Sequence, residues 1–211
     1  MGSLFEEVLS SNIFRTIQIN FRKVKFYSAT RFPIFMYGKF DIHILKGRIE
    51  ITCPISTGQI RIGTLNVGIF DKHIRSILDI HGSLSFAGRA NIGRGSALSI
   101  GPNAKIQIGN DFTIRAKSLI VATGDNIILF GSGCLLFWDI LMMNSDFYSI
   151  KNVDGKVINP SSNVIVDNNV WIGFKSTILK STKILDVSII GSYSLVNSEL
   201  KSTNAIYACC Q

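Results

Sequence analysis

Aliphatic residues recur at every sixth position late in the chain: Val166, Ile172, Ile178, Ile184, Ile190 and Val196. Two positions before each stands Val164, Val170, Ser176, Thr182, Ser188 or Ser194, a small or β-branched residue every time. Six steps along an α-helix turn through about 240°, so this spacing would scatter the aliphatics around a helix. A strand alternates its faces at each residue, so an even spacing keeps them all on one side of an extended chain. The pattern predicts short strands joined by tight corners at constant pitch. The aliphatics point inward and the small residues fit the corners. Stacked coils of this kind bury one continuous ladder, as solenoids do.

Upstream the register is looser. Ile62-Gly63, Ile92-Gly93, Ile100-Gly101 and Ile108-Gly109 repeat an aliphatic-glycine pair at irregular spacing, and Ile108, Ile114 and Ile120 recover the six-residue step. Ala90, Leu98 and Ile106 take the inward position two residues earlier. Coils are expected from near residue 60, or before it, to about residue 200. The polar stretch Asn144 to Asn163, with Pro160, has no period and is predicted as an extruded loop. Near the N-terminus, Leu4, Phe5, Val8 and Leu9 fit one face of a short helix, and Ile17, Ile19 and Phe21 alternate as in a strand. These predict a helix-and-strand cap over the first coil. The chain divides into a cap region, 1–55, and an all-β repeat domain, 56–211.

Composition narrows the classes. Of 211 residues, 46% are hydrophobic and 17% charged, with 18 Gly and 4 Pro, a globular and β-leaning profile. The apolar stretch from Ile127 to Met143 is broken by Gly131-Ser132-Gly133 and Asp139, so it reads as buried strands and not as a spanning helix. Glu6 and Glu7 at the start do not fit a signal peptide, which sets the expected location as cytoplasmic. Cys53, Cys134, Cys209 and Cys210 lack metal-ligand spacing, and Ala208 occupies the place a C-terminal prenylation box would give to cysteine. Net charge is +8. Residues 1–94 hold 13 Lys/Arg against 6 Asp/Glu, a balance of +7, so the basic N-terminal part is a candidate for peripheral contact with the inner membrane. No Lys/Arg run is interleaved with aromatics in the manner of nucleic-acid modules, so nucleic acid is not expected as a partner.

The stretch Val164-Ile-Val-Asp-Asn-Asn-Val-Trp-Ile-Gly173, followed by Ile178-Leu179-Lys180 and Ile190-Gly191-Ser192-Tyr193-Ser194-Leu195-Val196, resembles the C-terminal coils of hexapeptide-repeat O-acetyltransferases. The subgroup it resembles serves bacterial capsule, O-antigen and exopolysaccharide synthesis. The segment from Phe21 through Pro33 to Leu45-Lys46-Gly47 is similar to that subgroup's N-terminal region. The resemblance implies a left-handed parallel β-helix and a homotrimer. It also implies acetyl-coenzyme A as co-substrate, no metal, and a sugar or polysaccharide-precursor hydroxyl as acceptor.

In that family a loop reading approximately Asp-x-Asp-Phe-His-x-Ile carries a histidine that takes the acceptor's proton. Here the segment reads Asn144-Ser145-Asp146-Phe147-Tyr148-Ser149-Ile150, with tyrosine at the histidine position. The resemblance places Tyr148, Asp146 and Asn144 in catalytic roles, and Trp171, Gly173, Lys180 and Ser192 beside the coenzyme. A phenol keeps its proton at neutral pH, which makes it a poor general base. A working transferase and a degenerate scaffold or glycan-binding trimer therefore both remain open. His43, His73 and His81 all precede the later coils, which leaves no histidine set for a zinc enzyme built on the same solenoid. Asn204-Ala-Ile-Tyr-Ala208 begins the family's terminal turn and then departs from it.

Overall fold

The structure is a computed structural model that describes residues 8, 10–64, 68–71 and 73–208, and of Ile44 the main chain alone. The calls on Leu4, Phe5, Leu9, Cys209 and Cys210 fall outside the described residues.

Among the described residues, twenty-one short strands wind as a parallel β-helix with three faces. The first coil is β1 (Ile34–Met36), β2 (Phe40–Leu45) and β3 (Arg48–Ile51). The second is β4 (Ile60–Thr64), β5 (Ser76–Ile80) and β6 (Ser83–Phe86), and the third β7 (Ala90–Gly93), β8 (Ala97–Ile100) and β9 (Lys105–Ile108). The fourth is β10 (Phe112–Ala116), β11 (Leu119–Ala122) and β12 (Ile127–Phe130). In the fifth, β13 (Leu135–Trp138) and β14 (Leu141–Met143) are separated from β15 (Val164–Val166) by the extruded segment. Then follow β16 (Trp171–Ile172), β17 (Thr177–Ile178) and β18 (Lys183–Ile184), and finally β19 (Ile189–Ile190), β20 (Leu195–Val196) and β21 (Ile206–Tyr207). Every third strand joins one sheet as far as β20, and β21 then pairs with β19, giving parallel sheets of eight, seven and six strands.

The six-residue ladder is the core. Val166, Ile172, Ile178, Ile184, Ile190 and Val196 are buried, and so are the small residues two positions before each. Two of the four polar ones keep partners: Ser176 Oγ donates to Gly191 O at 2.9 Å, and Thr182 Oγ1 to Val196 O at 3.1 Å, while the Ser188 and Ser194 hydroxyls are buried with no partner among the described residues. Corner residues Asn169, Lys175, Ser181, Val187 and Tyr193 all have positive φ, again six apart, and these turns set the pitch. In the late coils Trp171 pairs with Ile189, 18 residues on, which is three hexads. In the middle coils Phe112 pairs with Ala90 and Ile120 with Leu98, a spacing of 22. Four-residue strands lengthen those coils, and the strict six-residue period disappears there for that reason.

Two expectations about the N-terminal part are corrected. The solenoid begins at Ile34, because β1–β3 lie in the same three ladders as later strands. The first coil therefore sits inside the 1–55 region read as cap. Ile17, Ile19 and Phe21 lie in a helix, α1 (Ile13–Lys23), followed by the short α2 (Phe26–Ala29). Asn12 caps α1 by accepting from Arg15 N–H.

The polar side of α1 closes the free edge of β1. Thr16 Oγ1 accepts from Met36 N–H at 3.0 Å, and Asn20 Oδ1 accepts from Ile34 N–H at 3.2 Å. Asn20 Nδ2 donates to Ile34 O at 2.7 Å, and Asn12 N–H donates to Met36 O at 2.7 Å. An open sheet edge invites further strand pairing, and these side chains stop it.

Candidate active site

The segment 144–163 leaves the solenoid between β14 and β15, and its neck is tied to the coils on both sides. Asn144, read as catalytic, is fully buried. Its Oδ1 accepts from Thr123 N–H at 2.8 Å, and its Nδ2 donates to Thr123 O at 3.0 Å. Its carbonyl accepts from Ser162 N–H at 3.1 Å. The geometry makes Asn144 a pin at the base of the loop, out of reach of any substrate. On the other side of the neck, Asn163 Oδ1 accepts from Ile127 N–H at 2.9 Å, and the Ser162 and Ser181 hydroxyls meet at 2.7 Å. Asn144→Ala strands the Thr123 main-chain groups and should lower stability by about 1–3 kcal/mol. Denaturant unfolding measures the loss, and faster proteolysis within 144–163 should accompany it.

Above the neck the loop folds back on the next coil. Lys180, at the corner between β17 and β18, donates to Asp146 Oδ2 at 2.6 Å, to Asn159 O at 3.0 Å and to Pro160 O at 3.2 Å. An ammonium has three protons, so Lys180 is saturated and braces the loop. The resemblance sets Lys180 beside the coenzyme; in this structure its donors serve the loop. Asn159, absent from the sequence reading, completes the brace: its Nδ2 donates to Asp146 Oδ2 at 2.9 Å and to Tyr148 O at 2.8 Å. The only signal for it in sequence is an Asn-Pro pair late in a polar stretch.

The Lys180 hydrogen bond, followed by that from Asn159, holds the Asp146 carboxyl below the usual carboxylate range. Its contribution to loop order is complete above the ordinary carboxylate value and is lost as pH falls through the lowered one. Lys180→Met should move the Asp146 titration up toward the ordinary value, followed by carboxyl NMR, and loosen the loop at neutral pH. An Asp146 titration that stays put would show that the brace is not what holds it down.

Tyr148 is 81% exposed on this scaffold, after Phe147 in the left-handed region at φ 62°. Its position is set through the main chain. Among the described residues its hydroxyl makes no hydrogen bond, and Asp146 is engaged by Lys180 and Asn159 without reaching it.

The remaining predicted residues lie at a different corner. Trp171, on β16, is 43% exposed and belongs to a series of rings that runs across coils. Phe137 lies 6.2 Å from Trp171 and 4.1 Å from Trp138, between centroids. Trp138 lies 6.2 Å from Phe174, and Phe174 5.4 Å from Tyr193. Lys175 Nζ stands over Phe174 and Tyr193, at 5.3 and 5.7 Å. Apart from Trp171, none of these rings was singled out from sequence, because their spacing mixes strand and corner positions. Ser192 is exposed at the corner after β19. Gly173 is small for a reason internal to the fold: a Cβ there would lie 2.7 Å from Ser192 N and 2.8 Å from Ile190 O. The structure thus brings Asp146, Tyr148 and Lys180 together at one corner, and Trp171, Gly173 and Ser192 together at another.

Other nucleophiles are poorly placed. Burial pushes the Cys134 thiol up to about 11, and it donates to Asp167 O at 3.1 Å. His43 and His81 sit on the first two coils, and His81 pairs with Asp79 at 3.5 Å. Among the described residues no three His, Cys, Asp or Glu side chains converge to hold a metal ion.

No protein-family model and no curated protein matches the chain. Solved structures do. The polySia-specific acetyltransferase NeuO superposes with a TM-score of 0.52 at 18% identity, covering 81% of this chain and 70% of that one. The likeness is one of fold. It makes the chain a left-handed parallel β-helix, as the resemblance implied. Lower similarity is found to the polysialic acid O-acetyltransferase OatWY (TM-score 0.39, 18% identity, 82% and 84% covered). The same holds for AntD, an N-acyltransferase from Bacillus cereus in complex with dTDP and 3-hydroxybutyryl-CoA (0.42, 16%, 83% and 74%).

Proposed function

We propose that the chain transfers an acyl group, acetyl in the first instance, from acyl-coenzyme A to a hydroxyl of a sugar or polysaccharide precursor. The braced loop carries this reading: Asn144, Asn159 and the Asp146–Lys180 pair hold residue 148 open to solvent, at the place where the resembling family keeps its proton acceptor. That NeuO, of the same fold, is a polySia-specific acetyltransferase supports a sugar acceptor.

In the transfer, the acceptor oxygen bonds to the thioester carbonyl carbon, the carbon–sulfur bond breaks, and the hydroxyl proton ends on the departing sulfur. The coenzyme supplies the activated acyl group. The chain supplies position and main-chain N–H donors toward the developing oxyanion. A tyrosine hydroxyl both donates and accepts, so Tyr148 can orient the acceptor or relay its proton without ionising. Trp171 and Tyr193 offer an apolar wall for the pantetheine chain, and Lys175 takes over from Lys180 as the cation for a coenzyme phosphate. Because the loop and the aromatic series occupy different corners of one chain, the site closes between copies, loop of one against aromatic corner of the next, in a homotrimer.

The second reading is a trimer that binds glycan or coenzyme without turnover. The unpartnered Tyr148 hydroxyl favours it. Titrating acetyl-coenzyme A into the protein in a calorimeter, with the mass measured by light scattering, separates them. One coenzyme per chain on a three-chain particle, with free coenzyme thiol released when an oligosaccharide acceptor is added, supports the transferase, and binding without that release supports the second reading. No binding at millimolar coenzyme overturns it.

A further inference from the structure

The helix α1 presents its apolar side outward. Thr16, Ile19 and Asn20 are its buried residues, and two of these three are polar because they close the edge of β1. Ile13, Phe14, Ile17 and Phe21, at i, i+1, i+4 and i+8, form a stripe about 100° wide that is exposed. Phe14 is 73% exposed, and beyond the helix Phe26 and Tyr27 are 77% and 78% exposed. Phe26 lies 6.2 Å from Phe21 between centroids, which makes the aromatics one patch. Ordinary surface helices turn such a stripe to the core, and contiguous exposed apolar patches mark interaction surfaces.

The charge around the patch is of one sign. Residues 8–40 contain six cations (Arg15, Arg22, Lys23, Lys25, Arg31 and Lys39) and no carboxylate. Arg15 and Arg22 occupy the sector of α1 beside the stripe, and the Arg31 guanidinium lies 5.7 Å from the Tyr27 ring centroid. Where α1 ends, Arg22, Lys23, Lys25 and Arg48, with the single acid Glu50, line a cavity of about 580 Å³ against β3. Lys23 also donates to Gly47 O at 3.1 Å, which fixes one wall of it.

We infer that this end of the solenoid docks on an anionic lipid surface. The aromatic and aliphatic stripe enters the boundary between headgroups and acyl chains, and the cations meet lipid phosphates and carboxylates, as in interfacial amphipathic helices. No helix among the described residues is long and apolar enough to cross a membrane, so the contact lies in the interface plane. A second copy is the weaker occupant. A two-fold contact brings the same patch together from both sides, and here that sets six cations against six. The docking is independent of any turnover at the loop.

Sedimentation of the 211-residue chain with phosphatidylcholine–phosphatidylserine vesicles tests this, with pure phosphatidylcholine as reference. The wild type should pellet with the anionic vesicles, less so as salt rises. Phe14→Asp combined with Phe26→Asp, and separately Arg22→Gln combined with Lys25→Gln, should each lower the partition coefficient by about tenfold or more. All four side chains are exposed, so the melting midpoints should match the wild type. A wild type that stays in the supernatant, or variants that pellet as the wild type does, would overturn the inference. So would self-association of the wild type that Phe14→Asp abolishes, because the patch would then belong to a second copy.

Discussion

Tyr148→His is expected to raise the rate of acyl transfer by about 10²- to 10⁴-fold, the usual contribution of a general base. The loop is already shaped for it. The carbonyl of residue 148 is held by Asn159 Nδ2 at 2.8 Å, and Phe147 N–H donates to Ser145 Oγ at 3.1 Å. An exposed side chain can become imidazole without repacking any neighbour. The gain should carry its own signature. Neutral imidazole accepts the proton, so the added rate should be present at neutral pH and fall away below about 6.5, an inflection that the phenol does not give. Steady-state release of free coenzyme thiol, followed across pH with an oligosaccharide acceptor, measures both. If the variant binds acetyl-coenzyme A and gains no rate, residue 148 does not stand where the proton moves. The non-catalytic trimer would then be the better account.

Phe112→Ala is the substitution with the largest expected effect on the fold. Phe112 begins β10 in the fourth of the coils and is fully buried, its ring centroid 4.7 Å from that of Phe130 on β12. In their ladders Phe112 lies beside Ala90, and Phe130 lies between Ile108 and Val166, so the two rings meet where the neighbouring coils carry smaller side chains. Truncating one leaves a cavity that neighbouring coils cannot close, because their spacing is set by main-chain ladders on three faces. The expected loss is about 3–5 kcal/mol, a large share of the roughly 5–15 kcal/mol that holds a domain folded. For a chain of this size the melting midpoint should fall by roughly 10 °C. Calorimetric melting checks it. A fall of only a degree or two would mean that the coils above and below Phe112 do not share one core.

The late coils were legible residue by residue. Ile172, Ile178, Ile184 and Ile190 state the pitch because each coil there is three equal hexads, and the loop from 144 to 163 stood out by lacking any period. The middle coils were legible only as a tendency. With longer strands on some faces, Ile92, Ile100 and Ile108 drift off the six-residue step while still pointing inward. The helix α1 was misread in part. Ile17, Ile19 and Phe21 alternate as in a strand, yet Ile17 and Phe21 belong to the exposed stripe and Ile19 to the buried side, an arrangement that becomes visible only once the partner of each face is known.

By itself the sequence determined the solenoid, the place of the extruded segment, and the tyrosine where the resembling family keeps a histidine. Each of these is a local property: strand alternation, corner turns, and the identity of one residue in a motif. Only the tertiary structure decided that Lys180 braces Asp146 instead of standing free, that Asn144 is buried as a pin, and that the apolar stripe of α1 faces away from the core. Those outcomes depend on contacts across coils and through a loop that folds back on its neighbour. Lys180 and Asp146 lie 34 residues apart, and nothing in the six-residue period says which corner a returning loop will meet.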